Sequence, residues 1–170
     1  MGIREIHEYL EANEFVGSVV YILFGMFLAV LVYQTLGFAL NTQDPVVVVV
    51  SCSMLPNLDR GDLLILKGID PKDLKAGVDG DIIVYVCPSD QAGCPPGNKL
   101  IVHRLYKINP DGTFVSWGDN NPYPDSWAIK PEWLKGKMLY RLPLLGEPKL
   151  LLSEILSGNL TGLLNYKFTC

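Results

Sequence analysis

Residues 40–56 read LNTQDPVVVVVSCSMLP, and this stretch divides the chain into two kinds of structure. Pro45 is followed by five β-branched residues, Val46 to Val50, which read as a buried strand. Ser51, Cys52 and Ser53 are small or polar and do not extend an apolar strand. Pro56 cannot donate to a ladder. Ser53 is therefore expected where the strand ends and the backbone turns, with its hydroxyl exposed. A serine that ends a strand and bonds its own backbone is the plainer reading of the same pattern.

Upstream of this stretch, Phe15 to Leu40 contains no charged residue. A helix of this length exceeds the roughly 30 Å hydrocarbon core of a bilayer and can span it with tilt. Tyr21 and Tyr33 suit the two interfaces. A cleaved signal peptide usually has a basic start and a shorter apolar core. Here residues 1–14 carry one Arg and four Glu, which favours a retained transmembrane helix. Residues 3–14 are expected to form a short interfacial helix with Ile3, Ile6 and Leu10 on one side.

Downstream, short strands follow at close spacing. Leu63 to Ile69, Asp81 to Cys87, Leu100 to Ile108, Thr113 to Trp117 and Gly136 to Leu142 are predicted strands. Asn109-Pro110-Asp111-Gly112 predicts a tight hairpin turn, and Pro131 to Leu134 a short helical turn. This spacing indicates an all-β sandwich or barrel. The leucine-rich tail from Pro143 reads as an amphipathic helix against the membrane or the β domain. Asn159-Leu160-Thr161 matches a glycosylation sequon, a triplet frequent by chance. The expected organisation is an N-terminal cytoplasmic segment (1–14), a transmembrane helix (15–40), an extracytoplasmic β catalytic domain (41–145) and a membrane-associated helical tail (146–170).

The 170 residues are 49% hydrophobic and 19% charged, which excludes disorder as a description of the whole chain. The net charge is −4, so no basic excess exists to neutralise phosphates and nucleic acid is not an expected partner. No metal site is expected. His7 and His103 fall on opposite sides of a membrane if the helix spans it, and Cys87 and Cys94 lack the short paired spacing of structural zinc. Those two cysteines flank a polar loop, Pro88 to Gly93. They read either as a disulfide in an extracytoplasmic compartment or as free thiols.

A serine hydroxyl is a weak nucleophile without a base. His103, inside the strand Leu100 to Ile108, is the candidate, and a hydrogen-bonded strand histidine is the alternative. A carboxylate would orient the imidazole. Asp119 and Asp125 lie in the loop after the return strand of the same hairpin, and either can reach His103 by this geometry.

The order of these blocks is informative. A membrane anchor precedes Ser51-Cys52-Ser53-Met54-Leu55-Pro56, then Gly80-Asp81-Ile82-Ile83, Val102-His103-Arg104 and Gly118-Asp119-Asn120-Asn121. From about Phe15 to Leu145 the chain resembles type I signal peptidases of the archaeal and endoplasmic-reticulum branch. The resemblance implies a signal peptidase-like β fold and a membrane-bound serine endopeptidase. That enzyme removes signal peptides from preproteins after small residues, through an acyl-enzyme. It implies Ser53 as nucleophile, His103 as base, Asp125 as its partner and Asp119 in support. Ser51 with the Ser53 N–H would form the oxyanion hole. Met54, Ile82 and Ile83 would line shallow substrate pockets. No cofactor is implied. The implied partners are signal peptides, the lipid bilayer and accessory membrane subunits, and the implied location of the catalytic domain is extracytoplasmic or lumenal. Two other readings stand beside it: a membrane-anchored β module that binds without catalysis, and a pilin-type processing peptidase.

Overall fold

The computed structural model describes residues 2, 4, 14–158 and 170. His7, most of the expected helix over residues 3–14, the sequon, and the tail from 159 to 169 lie outside the described residues. The chain divides into two units, residues 1–39 and 40–170.

The first unit contains helix α1, Glu14–Ala39. Its stretch Phe15–Ala39 is long and apolar enough to cross a membrane. Apolar side chains are exposed all around it, among them Phe24, Phe27, Val30 and Leu31. A helix apolar on every side requires an apolar surrounding, which water does not supply. Its one threonine hydroxyl is satisfied internally, Thr35 Oγ1 donating to the Leu31 carbonyl at 2.8 Å.

The second unit is built on strands β1 (Val46–Val48), β2 (Leu63–Lys67), β3 (Ile82–Cys87), β4 (Lys99–Ile108), β5 (Phe114–Trp117) and β6 (Leu134–Leu142). They form one antiparallel sheet in the order β1-β2-β6-β3-β4-β5. The expected sandwich or barrel is thus a single sheet whose two faces both carry a core. Val47, Val49, Met54, Leu58, Leu64, Leu66, Ile82 and Val84 form one apolar cluster. Leu74, Ile83, Tyr85, Cys87, Leu105, Phe114 and Ile129 form the other. Strand alternation explains the division, since successive side chains point to opposite faces.

Two strands end earlier than expected, each by two residues. The valine run leaves the sheet after Val48, because its partner β2 begins at Leu63, paired with Val48. Val49 is carried one step further by backbone bonds with Asp62 and Gly61, and Val50 is exposed. The strand expected over Leu63–Ile69 stops at Lys67, where the Gly68 N–H turns away to the Leu40 carbonyl. The turn at 109–112 closes with the Gly112 N–H donating to the Asn109 carbonyl at 3.0 Å. Gly112 has φ of 82°, a left-handed conformation that favours glycine. Pro131–Trp133 is a single 3-10 turn that leads into β6. Helix α2, Glu147–Leu156, buries Leu150 and leaves Leu152, Ile155 and Leu156 exposed.

Candidate active site

The site is organised by β4. Its residues 101, 103 and 105 face one side of the sheet, and 102 and 104 the other. Ile83 lies opposite His103, Tyr85 opposite Ile101 and Ser116 opposite Leu105, so Ile83, Tyr85, His103 and Ser116 share a face. Arg104 lies on the opposite face.

Ser53 reaches His103 from the turn after β1. Two hydrogen bonds from Asn120 hold that turn against the loop after β5. The Asn120 N–H donates to the Ser53 carbonyl at 2.8 Å, and the Asn120 side-chain amide donates to the Cys52 carbonyl at 3.1 Å. Gly118 makes this approach possible, because a Cβ there would stand 2.7 Å from the Ser53 carbonyl oxygen. The Leu55–Pro56 peptide is cis. The Leu58 N–H donates to the Met54 carbonyl, closing the turn.

Asp125 arrives from the other direction. Its own N–H donates to the Ser116 carbonyl at 2.9 Å, and Ile129 pairs with Phe114 further along, so residues 125–129 run beside the outer edge of β5.

The result is a line of three side chains. Ser53 Oγ lies 3.0 Å from His103 Nε2, and His103 Nδ1 lies 2.6 Å from Asp125 Oδ2. The His103 and Asp125 side chains are 8% and 5% exposed, so their interaction is largely shielded from water. With the Nδ1 proton donated to Asp125, Nε2 is left to accept from the Ser53 hydroxyl. Ser51 Oγ is 3.2 Å from Ser53 Oγ and is exposed. The arrangement can accept a proton from a serine hydroxyl and hold the resulting imidazolium beside a carboxylate.

Asp119 is on the other face. Arg104 binds it with two parallel bonds, Nε to Oδ1 at 2.8 Å and Nη2 to Oδ2 at 2.7 Å. Asn57 adds a third at 2.7 Å. Burial pushes the Asp119 carboxyl up, but the bonds from Arg104 and Asn57 and the guanidinium charge outweigh it and hold the carboxyl below its ordinary value. The same bonds raise the Arg104 guanidinium. Arg104 also donates to the Gly80 carbonyl at 2.9 Å. This cluster braces the loop that carries Asn120.

Met54, Ile82 and Ile83 are not at an open surface. They are 1%, 8% and 0% exposed, Met54 and Ile82 in one core cluster and Ile83 in the other. Their side chains help hold the sheet and the Ser53 turn together. Cys87 and Cys94 are joined across their loop. Cys52, for which the sequence suggests no role, is joined to Cys170, 118 residues away.

Sequence reasoning also missed Tyr85, Ser116 and Trp127. Ser116 Oγ donates to Asp125 Oδ2, the Tyr85 hydroxyl lies 3.2 Å from the same oxygen, and Trp127 Nε1 donates to the Tyr85 hydroxyl at 3.2 Å. The available signal was one polar-tipped residue in the otherwise apolar strand IIVYVC (Ile82–Cys87), in register with the face of His103.

No family model matches the chain. It is 32% identical over 158 residues to the signal peptidase complex catalytic subunit SEC11 of Schizophyllum commune, covering 81% of this chain and 72% of that one. It is 33% identical over 137 residues to the SEC11 subunit of Scheffersomyces stipitis, covering 74% and 76%. Human SEC11C is 33% identical over 116 residues, covering 64% and 55%. Similarity at this level, across most of both fungal chains, shows that the chain belongs to the type I signal peptidase family, in the branch of the signal peptidase complex catalytic subunits.

Proposed function

We propose that the chain is a membrane-bound serine endopeptidase that removes N-terminal signal peptides from preproteins after small residues. The observation that carries this reading is the line from Ser53 Oγ through His103 to Asp125, with spacings of 3.0 and 2.6 Å.

Ser53 Oγ attacks the scissile carbonyl carbon while His103 Nε2 takes its proton. Asp125 keeps the imidazole in the tautomer that leaves Nε2 basic and stabilises the imidazolium. The Ser53 N–H and the Ser51 hydroxyl donate to the developing oxyanion. His103 returns its proton to the leaving amine, whose departure leaves the acyl-enzyme. Water, deprotonated by the same nitrogen, then releases the acyl group and restores Ser53. Asp119 supports the site by bracing the loop that holds Ser53.

The β unit is assigned to the extracytoplasmic or lumenal side, with α1 as a single-pass anchor in the lipid bilayer and the tail from residue 146 at the membrane surface. The two disulfides support that side, since such bonds persist in oxidising compartments. The exposed Leu152, Ile155 and Leu156 of α2 support an apolar surrounding for the tail. The relatives are named as subunits of a signal peptidase complex, which supports accessory membrane subunits as partners.

The test is cleavage of a preprotein in liposomes by the wild type and by Ser53→Ala and His103→Ala. Cleavage that both substitutions abolish is the expected result. Cleavage that survives Ser53→Ala refutes the assignment of the nucleophile.

A further inference from the structure

Asp125 holds more partners than a triad aspartate needs for its histidine alone. Oδ2 of this carboxylate receives His103 Nδ1 at 2.6 Å, the Ser116 hydroxyl, and the Tyr85 hydroxyl at 3.2 Å. Ser116 and Tyr85 are fully buried and lie 2.9 Å apart, hydroxyl to hydroxyl.

The direction of each bond follows from what each group can do. An indole N–H only donates, so the Tyr85 oxygen accepts from Trp127. The single Tyr85 proton then points away from Trp127, to Ser116 Oγ with Asp125 Oδ2 as a second acceptor. The Ser116 proton goes to Asp125. Every proton in the chain Trp127, Tyr85, Ser116 runs toward one carboxylate oxygen. Burial, then the charge on Asp125, push the Tyr85 phenol up, which keeps its proton in place as a donor.

Core packing does not account for these two hydroxyls. Tyr85 packs in an otherwise apolar cluster with Ile83, Cys87, Leu105, Phe114 and Ile129, and buried Ser116 lies opposite Leu105 on the neighbouring strand. Phe and Ala would fill the same space without burying polar atoms, which costs free energy unless every hydrogen bond is made. The hydroxyls are placed where their bonds fix a carboxylate that His103 must meet in one orientation.

We infer that Ser116 and Tyr85 are positioning residues for catalysis: together they lock Asp125 Oδ2 on the Nδ1 side of His103 and so hold Nε2 aimed at Ser53. The inference rests on the proposed Ser53 and His103 mechanism. Ser116 acts directly, and Tyr85 acts mainly by orienting Ser116.

The experiment compares kcat and KM for preprotein cleavage, and the melting temperature, in the full chain in liposomes. The variants are Ser116→Ala, Ser116→Thr and Tyr85→Phe, with wild type and Ser53→Ala alongside. Ser116→Ala is expected to lower kcat by about ten- to a hundredfold, what one hydrogen bond to a charged group is worth, with KM unchanged. Ser116→Thr, which keeps the hydroxyl, restores most of the loss. Tyr85→Phe keeps the ring in the core and lowers kcat by about three- to tenfold. A Ser116→Ala or Tyr85→Phe enzyme with wild-type kcat overturns the inference, as does a loss that Thr does not restore or that follows the melting temperature alone. If Ser116→Ala does not fold, Tyr85→Phe decides by the same criteria. Inactive wild type, or active Ser53→Ala, instead overturns the mechanism beneath it.

Discussion

His103 and Arg104 are neighbours on β4, yet each faces a different side of the sheet and holds a different aspartate of the same loop. On one face, His103 meets Asp125 through a single 2.6 Å contact, with a serine hydroxyl at its other nitrogen. On the other, Arg104 grips Asp119 with two parallel bonds and also donates to the Gly80 carbonyl. An imidazole can take and return a proton near neutral pH, whereas a guanidinium stays charged. One pair is therefore suited to moving protons and the other to holding the loop still. A single step along a strand separates chemistry from support.

The widest separation is expected between substitutions at these adjacent positions. His103→Ala should lower kcat by about four orders of magnitude, the scale of losing a triad member. Arg104→Ala should keep kcat within about tenfold of wild type. Steady-state cleavage of a preprotein by the two variants checks this, and comparable losses from both would erase the distinction.

Stability should rank them the other way. Removing Arg104 leaves Asp119 partly buried without its cation and should cost about 2 kcal/mol. Urea unfolding of the detergent-solubilised chain measures it, and an unchanged midpoint for Arg104→Ala would contradict a bracing role.

The supporting face also carries a pH signature. Asp119 is held below its ordinary value of 3.8 in the folded chain, so the unfolded chain binds its proton first as pH falls. The stabilisation is complete above the ordinary value and is lost as pH drops through the lower folded value. Between about pH 5 and 2, the urea midpoint of Asp119→Asn should therefore fall less steeply than that of wild type. Parallel curves would mean that the carboxyl is not depressed.

The smallest expected change concerns the cysteines. None of the described cysteines is free, so the denatured, unreduced chain should take up no thiol reagent by intact mass. Uptake would break the link between the Ser53 turn and Cys170. Loss of the Cys87–Cys94 link, with its short loop, should cost about 2 kcal/mol.

Much of this arrangement was legible in the residues. The uncharged run from Phe15, the Asn-Pro-Asp-Gly turn and the β-branched strands declare their structure locally. The turn also fixes which strand stands beside β4. The choice between Asp119 and Asp125 was beyond local reasoning, because both lie in a loop where alternation no longer assigns faces. Asp125 is placed by a backbone bond to Ser116, and Asp119 by the reach of the Arg104 side chain. The fate of Val50 depended on where β2 begins, which is a pairing property. The packing of Met54 against Leu58 and the sheet also depends on contacts distant in sequence. The bond between Cys52 and Cys170 joins residues that no local pattern connects.

The most direct test of the account sets Asp125→Asn beside Asp119→Asn in single-turnover cleavage of one preprotein, with melting temperatures recorded for both. The account predicts a loss of about four orders of magnitude for Asp125→Asn at near-native stability. It predicts a rate within about tenfold of wild type for Asp119→Asn, at a lowered melting temperature. A reversed order of rates would contradict the assignment of Asp125 to His103.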